Sequence, residues 1–167
     1  MPALIAGKIA PDFTLPTTDG KIVSLQELLQ RGPVVLAFFK VSCPVCQFAF
    51  PYYERVARAH HDDKRVSFLG ICQNSTSDAS AFAREHGVTF PIALDNDSNG
   101  YAVSNAYGIT NVPTLFYIET DGKIEVSSVG WSKAEVDQVS ERLAALRHQQ
   151  PPALWRKGED IPTFRAG

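Results

Sequence analysis

The sequence of 167 residues has no long apolar run. Its longest uninterrupted stretch is Val34 to Phe39, whereas a membrane-spanning helix needs about 20 apolar residues, so no membrane partner is expected. It also lacks an excess of either charge: 16 Lys+Arg against 18 Asp+Glu leave a net charge of −2. Phosphate binding calls for a clustered basic surface, so nucleic acid is not expected as a partner either. Eleven Pro and eleven Gly are too few for a collagen-like or low-complexity chain. With 44% hydrophobic residues and only 20% charged, global disorder is excluded. Cysteine is scarce. Three of them, an odd number, in a chain long enough to bury its own core do not make a disulfide framework. Residues 1–13 show no basic region followed by an apolar one, which predicts a cytoplasmic location.

What is present is an alternation of strand and helix signals. Phe13-Thr14-Leu15 and Ile22 to Leu25 flank the turn Thr18-Asp19-Gly20-Lys21, a predicted hairpin. Ser24 is placed to cap a short helical turn over Gln26 to Leu29. Val34 to Lys40, Val66 to Cys72 and Thr114 to Glu119 are apolar runs that suit strands buried on both faces. Apolar residues at 48, 52, 53, 56 and 59 have helical spacing, with Pro51 expected to kink the helix. Ser77 is read as the cap of a helix over Asp78 to His86 that stops at Gly87. Phe90 to Leu94 reads as extended, and Tyr101 to Tyr107 as a short helix. Thr120-Asp121-Gly122-Lys123 turns the third apolar strand back along Lys123 to Val129. Ser132 and Glu135 match a capping box for a helix with Val136, Val139, Leu143 and Leu146 on one face. The pattern is α/β, with a mixed sheet and helices on both faces.

Cys43 and Cys46 are spaced C-x-x-C where the first buried strand hands over to a helix. Thiolate is the reactive form of cysteine, and a helix N-terminus stabilises it through unpaired N–H groups. Pro44 suits the first helical position, where its missing N–H costs nothing. Three residues on, Cys46 lies on the same face. The spacing therefore predicts Cys43 as the exposed attacker and Cys46 as the shielded resolving thiol, acting through a mixed disulfide. A zinc site would need two further ligands. There is no second C-x-x-C or H-x-x-x-H, and His60-His61 is an isolated pair, so no metal is expected.

From these residues the chain resembles the thioredoxin-fold redoxins. The likeness is to TlpA-like thiol–disulfide oxidoreductases and to the alkyl hydroperoxide reductase/thiol-specific antioxidant proteins. It is carried by Ala10-Pro11-Asp12-Phe13 with Asp19-Gly20, by Phe38 through Pro51, and by Phe90-Pro91 with Asp95. Tyr107-Gly108-Ile109, Val112-Pro113-Thr114 and Asp121-Gly122 complete it. The resemblance implies a thioredoxin-like fold: a central mixed sheet, helices on both faces and an N-terminal hairpin extension. The redoxin domain would cover residues 1–147, with 148–167 as a C-terminal tail. It implies a cis Pro113 beside the dithiol, with Val112, Pro113 and Pro44 contacting substrate, Val112 through backbone pairing with an extended segment. It implies a disulfide-containing protein or small thiol as substrate, a thioredoxin- or glutaredoxin-type reductant as partner, and no cofactor. Two positions depart from the pattern: Ala37 and Ala49 stand where relatives carry an acid able to deprotonate the resolving thiol.

Two other readings of the dithiol stay open. A peroxiredoxin-like peroxidase would use Cys46 as the peroxidatic residue and Cys43 to resolve it. Phe39 then stands where a proline is expected, and no arginine is evident to polarise the peroxide. A non-catalytic redox-sensing or binding module would use an exposed apolar groove around Phe39, Trp131 and Pro113. Cys72 reads as a small buried hydrophobe, and His60, His61, His86 and His148 as solvated or capping residues at helix ends. Asp95, Asp97 and Asn99 read as a turn rather than a calcium loop. Ile161 to Gly167 resembles a Pro-x-Phe-x-x-Gly segment that some redoxins carry before a terminal cysteine or selenocysteine. By its own composition it reads as a disordered end.

Overall fold

The computed structural model describes residues 2–167. In chain order, β1 (Thr14–Pro16) and β2 (Ile22–Ser24) form the N-terminal hairpin, followed by α1 (Leu25–Leu29) and β3 (Val34–Phe39). Then come α2 (Pro44–Ala59), β4 (Ser67–Cys72), α3 (Thr76–His86), β5 (Ile92–Leu94) and α4 (Ala102–Ala106). The chain closes with β6 (Thr114–Ile118), β7 (Ile124–Val129), β8 (Trp131–Ser132), α5 (Lys133–Ala145) and β9 (Phe164–Arg165).

The apolar run Val34–Phe39 is continuous because β3 is the middle strand of a five-stranded sheet ordered β5-β4-β3-β6-β7. It pairs in parallel with β4 and antiparallel with β6, so the sheet is mixed. Side-chain alternation divides the core into two layers. Val35, Ala37 and Phe39 face α2, α3 and α5, while Val34, Leu36 and Phe38 face the N-terminal arm, α1 and α4. The edges of the sheet are partly covered, as edge strands require. Thr17 bridges to Ala93 on β5, and Ile9 bridges to Lys123 at the start of β7.

Several expectations change. The α3 cap is Ser75, not Ser77: Ser75 Oγ accepts from the Asp78 N–H at 3.2 Å, and Gly87 ends the helix at φ 67. Pro51 lies inside α2, which runs unbroken from Pro44 to Ala59. Asp95 is not merely a turn residue. It is fully buried, and its carboxylate accepts from the Val103 and Ser104 amides, the Ser104 hydroxyl and the Asn99 side chain. It therefore fixes the start of α4, which follows Tyr101 in the left-handed region at φ 55. His60 is buried, not solvated, with neither ring nitrogen hydrogen-bonded.

The tail is not a disordered end. Leu154 is buried, Trp155 Nε1 donates to Asp137 at 2.9 Å, and Arg55 makes a two-pronged pair with Glu159. Beyond that clasp, β9 pairs antiparallel with β8.

Candidate active site

The site forms at the C-terminal edge of β3, where the chain leaves the sheet and turns into α2. Residues Lys40 to Ser42 carry it across. This loop is held from two sides: Asn74 Oδ1 accepts from the Val41 N–H at 3.0 Å, and Gln47 Nε2 donates to the Val41 carbonyl at 2.9 Å. Cys43 is the N-cap of α2, in an extended conformation with φ −81 and ψ 116, and Pro44 occupies the first turn, exposed to solvent. Cys43 Sγ accepts from the Cys46 N–H at 3.2 Å, satisfying one of the amides a helix start leaves open. The same thiol donates to the Val112 carbonyl at 3.3 Å.

No disulfide joins the two cysteines, and their settings differ. Cys43 is half-buried and open to solvent, whereas Cys46 is fully buried. Burial, reinforced by its hydrogen bond with Cys43, pushes the Cys46 thiol well above the usual cysteine range. Ala37 and Ala49 belong to the same buried cluster as Cys46, so methyl groups fill the two positions at which the resemblance would place an acid. Cys72 is fully buried, with its Sγ accepting from the Asn74 N–H at 3.4 Å, and burial pushes its thiol up to about 11.

The Val112–Pro113 peptide bond is cis. Thr114 Oγ1 donates to the Asn111 carbonyl at 2.7 Å and the Gly130 N–H donates to the Pro113 carbonyl at 2.8 Å, which ties this loop to the end of β7. The structure thus brings Cys43, Cys46 and Val112 together, with Pro44 and Pro113 adjoining them in the chain. It does not provide the apolar groove expected around Phe39, Trp131 and Pro113. All three are buried, Phe39 and Trp131 completely, because Phe39 packs on Phe50 and Phe82 and Trp131 is enclosed by Phe48, Tyr52, Tyr53 and Trp155. Among the described residues no cluster of three His, Cys, Asp or Glu could hold a metal ion.

The sequence did not point to the tail as a neighbour of this site. Asn111 Nδ2 donates to the main-chain oxygen of Gly167 at 3.0 Å, and the Arg165 guanidinium lies 4.3 Å from the Phe48 ring centre. A two-residue strand leaves too short a pattern to read.

Residues 6–127 match the model of the AhpC/TSA family. The thiol-disulfide oxidoreductase ResA of Bacillus thuringiensis (strain Al Hakam) is 30% identical over 125 residues, 74% of this chain and 69% of that protein. The chain belongs to the AhpC/TSA family. Within it, the relatives place the protein among the thiol–disulfide oxidoreductases of the ResA type. A protein of Bacteroides thetaiotaomicron described as a candidate protein disulfide isomerase superposes with a TM-score of 0.76 at 29% identity, covering 89% of this chain and 99% of that one. The peroxidoxin BcpB of Mycobacterium tuberculosis superposes with a TM-score of 0.69 at 27% identity, covering 86% of this chain and 97% of that one. These neighbours agree with the thioredoxin-like sheet seen here.

Proposed function

We propose that the protein exchanges its Cys43–Cys46 dithiol with a disulfide in a protein or small molecule. The observation that carries this is the asymmetry of the pair: one half-exposed thiol at a helix start, taking the N–H of a second thiol that is fully buried behind it. A thiolate on Cys43 keeps the Cys46 N–H bond and attacks an incoming sulfur, giving a mixed disulfide. Cys46 then attacks Cys43 Sγ and releases the second substrate thiol. With Ala37 and Ala49 in the acid positions, the proton of Cys46 leaves to water. Pro44 offers no amide to the Cys43 sulfur, which favours a reductant over a strong oxidant. Half-buried Val112 and exposed Pro44 would form the surface that meets substrate, with the buried Pro113 setting the path of the chain behind Val112. A thioredoxin- or glutaredoxin-type dithiol would return the electrons.

The test is trapping. Reduced Cys46→Ser protein treated with oxidised glutathione is expected to hold one glutathione on Cys43, seen by mass. Cys43→Ser should hold none, because Cys46 cannot be reached. The peroxidase reading, which the likeness to peroxidoxin BcpB supports, makes the opposite assignment. It requires the Cys43→Ser variant to be oxidised rapidly at Cys46 by hydrogen peroxide, and the burial of that sulfur opposes it. Rapid peroxide consumption by Cys43→Ser would replace the first reading with the second.

A further inference from the structure

We infer that residues 161–167 occupy the edge on which an extended polypeptide would dock beside Val112, reserving Cys43 for low-molecular-weight disulfides. The inference rests on the dithiol-exchange reading above and names its substrate class. A protein substrate adds a strand to exposed main chain and needs several residues of free edge. That edge is taken. Trp131 Nε1 donates to the Pro162 carbonyl at 2.7 Å, and the Lys133 N–H donates to the Thr163 carbonyl at 3.0 Å. Trp131 and Ser132 then pair with Arg165 and Phe164. The chain continues to Gly167, whose oxygen takes the Asn111 side-chain amide.

The fit at the end of the strap is too close for side chains. A Cβ on Gly167 would lie 2.3 Å from the Val112 carbonyl oxygen and 2.8 Å from its carbon. A Cβ on Gly130, itself at φ 77, would lie 2.5 Å from the Arg165 carbonyl oxygen. The tail therefore presses on the same Val112 carbonyl that Cys43 Sγ touches. Yet Cys43 stays half-exposed and Pro44 fully so. A small disulfide needs only an in-line approach to that sulfur. A polypeptide disulfide also needs the main-chain edge, and meets the strap.

The reaction balances without further reagents. Cys43 thiolate breaks the S–S bond of the small disulfide, forms a mixed disulfide and releases one thiolate, which takes a proton from water. Cys46 thiolate displaces the second thiol and closes the Cys43–Cys46 bond. The protein loses two electrons and the disulfide gains them.

The experiment uses the full chain, pre-reduced, and measures second-order oxidation rates with oxidised glutathione and with insulin. Wild-type protein is expected to react at least tenfold faster with oxidised glutathione, per disulfide. Asn111→Ala/Arg165→Pro removes the clamp on Gly167 and a strand donor of β9. It is expected to raise the insulin rate about tenfold and leave the glutathione rate within twofold. Wild-type protein that takes insulin as fast as glutathione overturns the inference, as does a variant that accelerates both equally or neither. Protein that reacts with neither disulfide, wild type and variant alike, removes the exchange reading itself and the inference with it.

Discussion

Cys46 shows how one burial sets two properties. It hides the sulfur from every reagent except the one attached to Cys43, and it holds the thiol protonated. The second step of exchange therefore waits on deprotonation. Once a mixed disulfide sits on Cys43, its resolution is expected to rise about tenfold per pH unit between about pH 7 and 9, following the thiolate fraction. Stopped-flow release of the second thiol checks this. The same shift acts on stability with a definite sign. Cys46 ionises near 9.0 when unfolded and well above that when folded. Its contribution is whole below pH 9 and is lost as pH rises beyond it. At this scale the sequence was informative, since the C-x-x-C spacing and the strand before it placed both thiols. It was silent on His60, whose position at a helix end looks solvated. His60 ends α2 and is buried, with the charge of Arg147, from beyond α5, acting on it.

Among the elements, α4 depends most on a single residue outside it. It has five residues and no side-chain cap of its own, too short to persist alone. Asp95 substitutes for the cap by accepting from the Val103 and Ser104 amides with distances of 3.1 and 2.6 Å. Asp95→Ala leaves those buried donors unpaired, at about 1–3 kcal/mol each. The expected loss is about 3 kcal/mol in urea unfolding, with Asp95→Asn losing less because one oxygen remains. Strands and long helices were legible because their periods repeat: β3 as a continuous apolar run, α5 from Val136, Val139 and Leu143. The α3 cap was misplaced by two residues because Ser75 and Ser77 offer the same hydroxyl, and only backbone geometry separates them.

Across the whole molecule, the tail joins distant parts. The Arg55–Glu159 pair fastens it to the outer side of α2, and Arg55 also donates to the Leu154 carbonyl at 3.0 Å. Arg55 holds the Glu159 carboxyl down at about 2. The clasp is therefore charged at neutral pH and loosens only as pH falls below the ordinary value of 4.5 toward 2. Glu159→Gln is expected to speed tryptic cleavage after Arg156 or Lys157 severalfold at pH 7.5, while leaving the melting temperature of the sheet within a few degrees, as its loss touches no core residue. Limited proteolysis followed by mass spectrometry reads the first, and calorimetry the second.

The sequence alone determined where the two thiols sit, the mixed sheet and the helix that opens at Cys43. Each is written in local spacing: two cysteines one turn apart, an apolar strand before them, Val-Pro-Thr ahead of the next strand. Tertiary structure decided what surrounds the sulfur. Asn74 comes from one loop and the neighbours Asn111 and Val112 from another, and Gly167 reaches Val112 across 55 positions of chain. Closing such a long loop is favourable only once Trp131, Leu154 and Arg55 stand in place to hold it. No pattern within one segment can announce that.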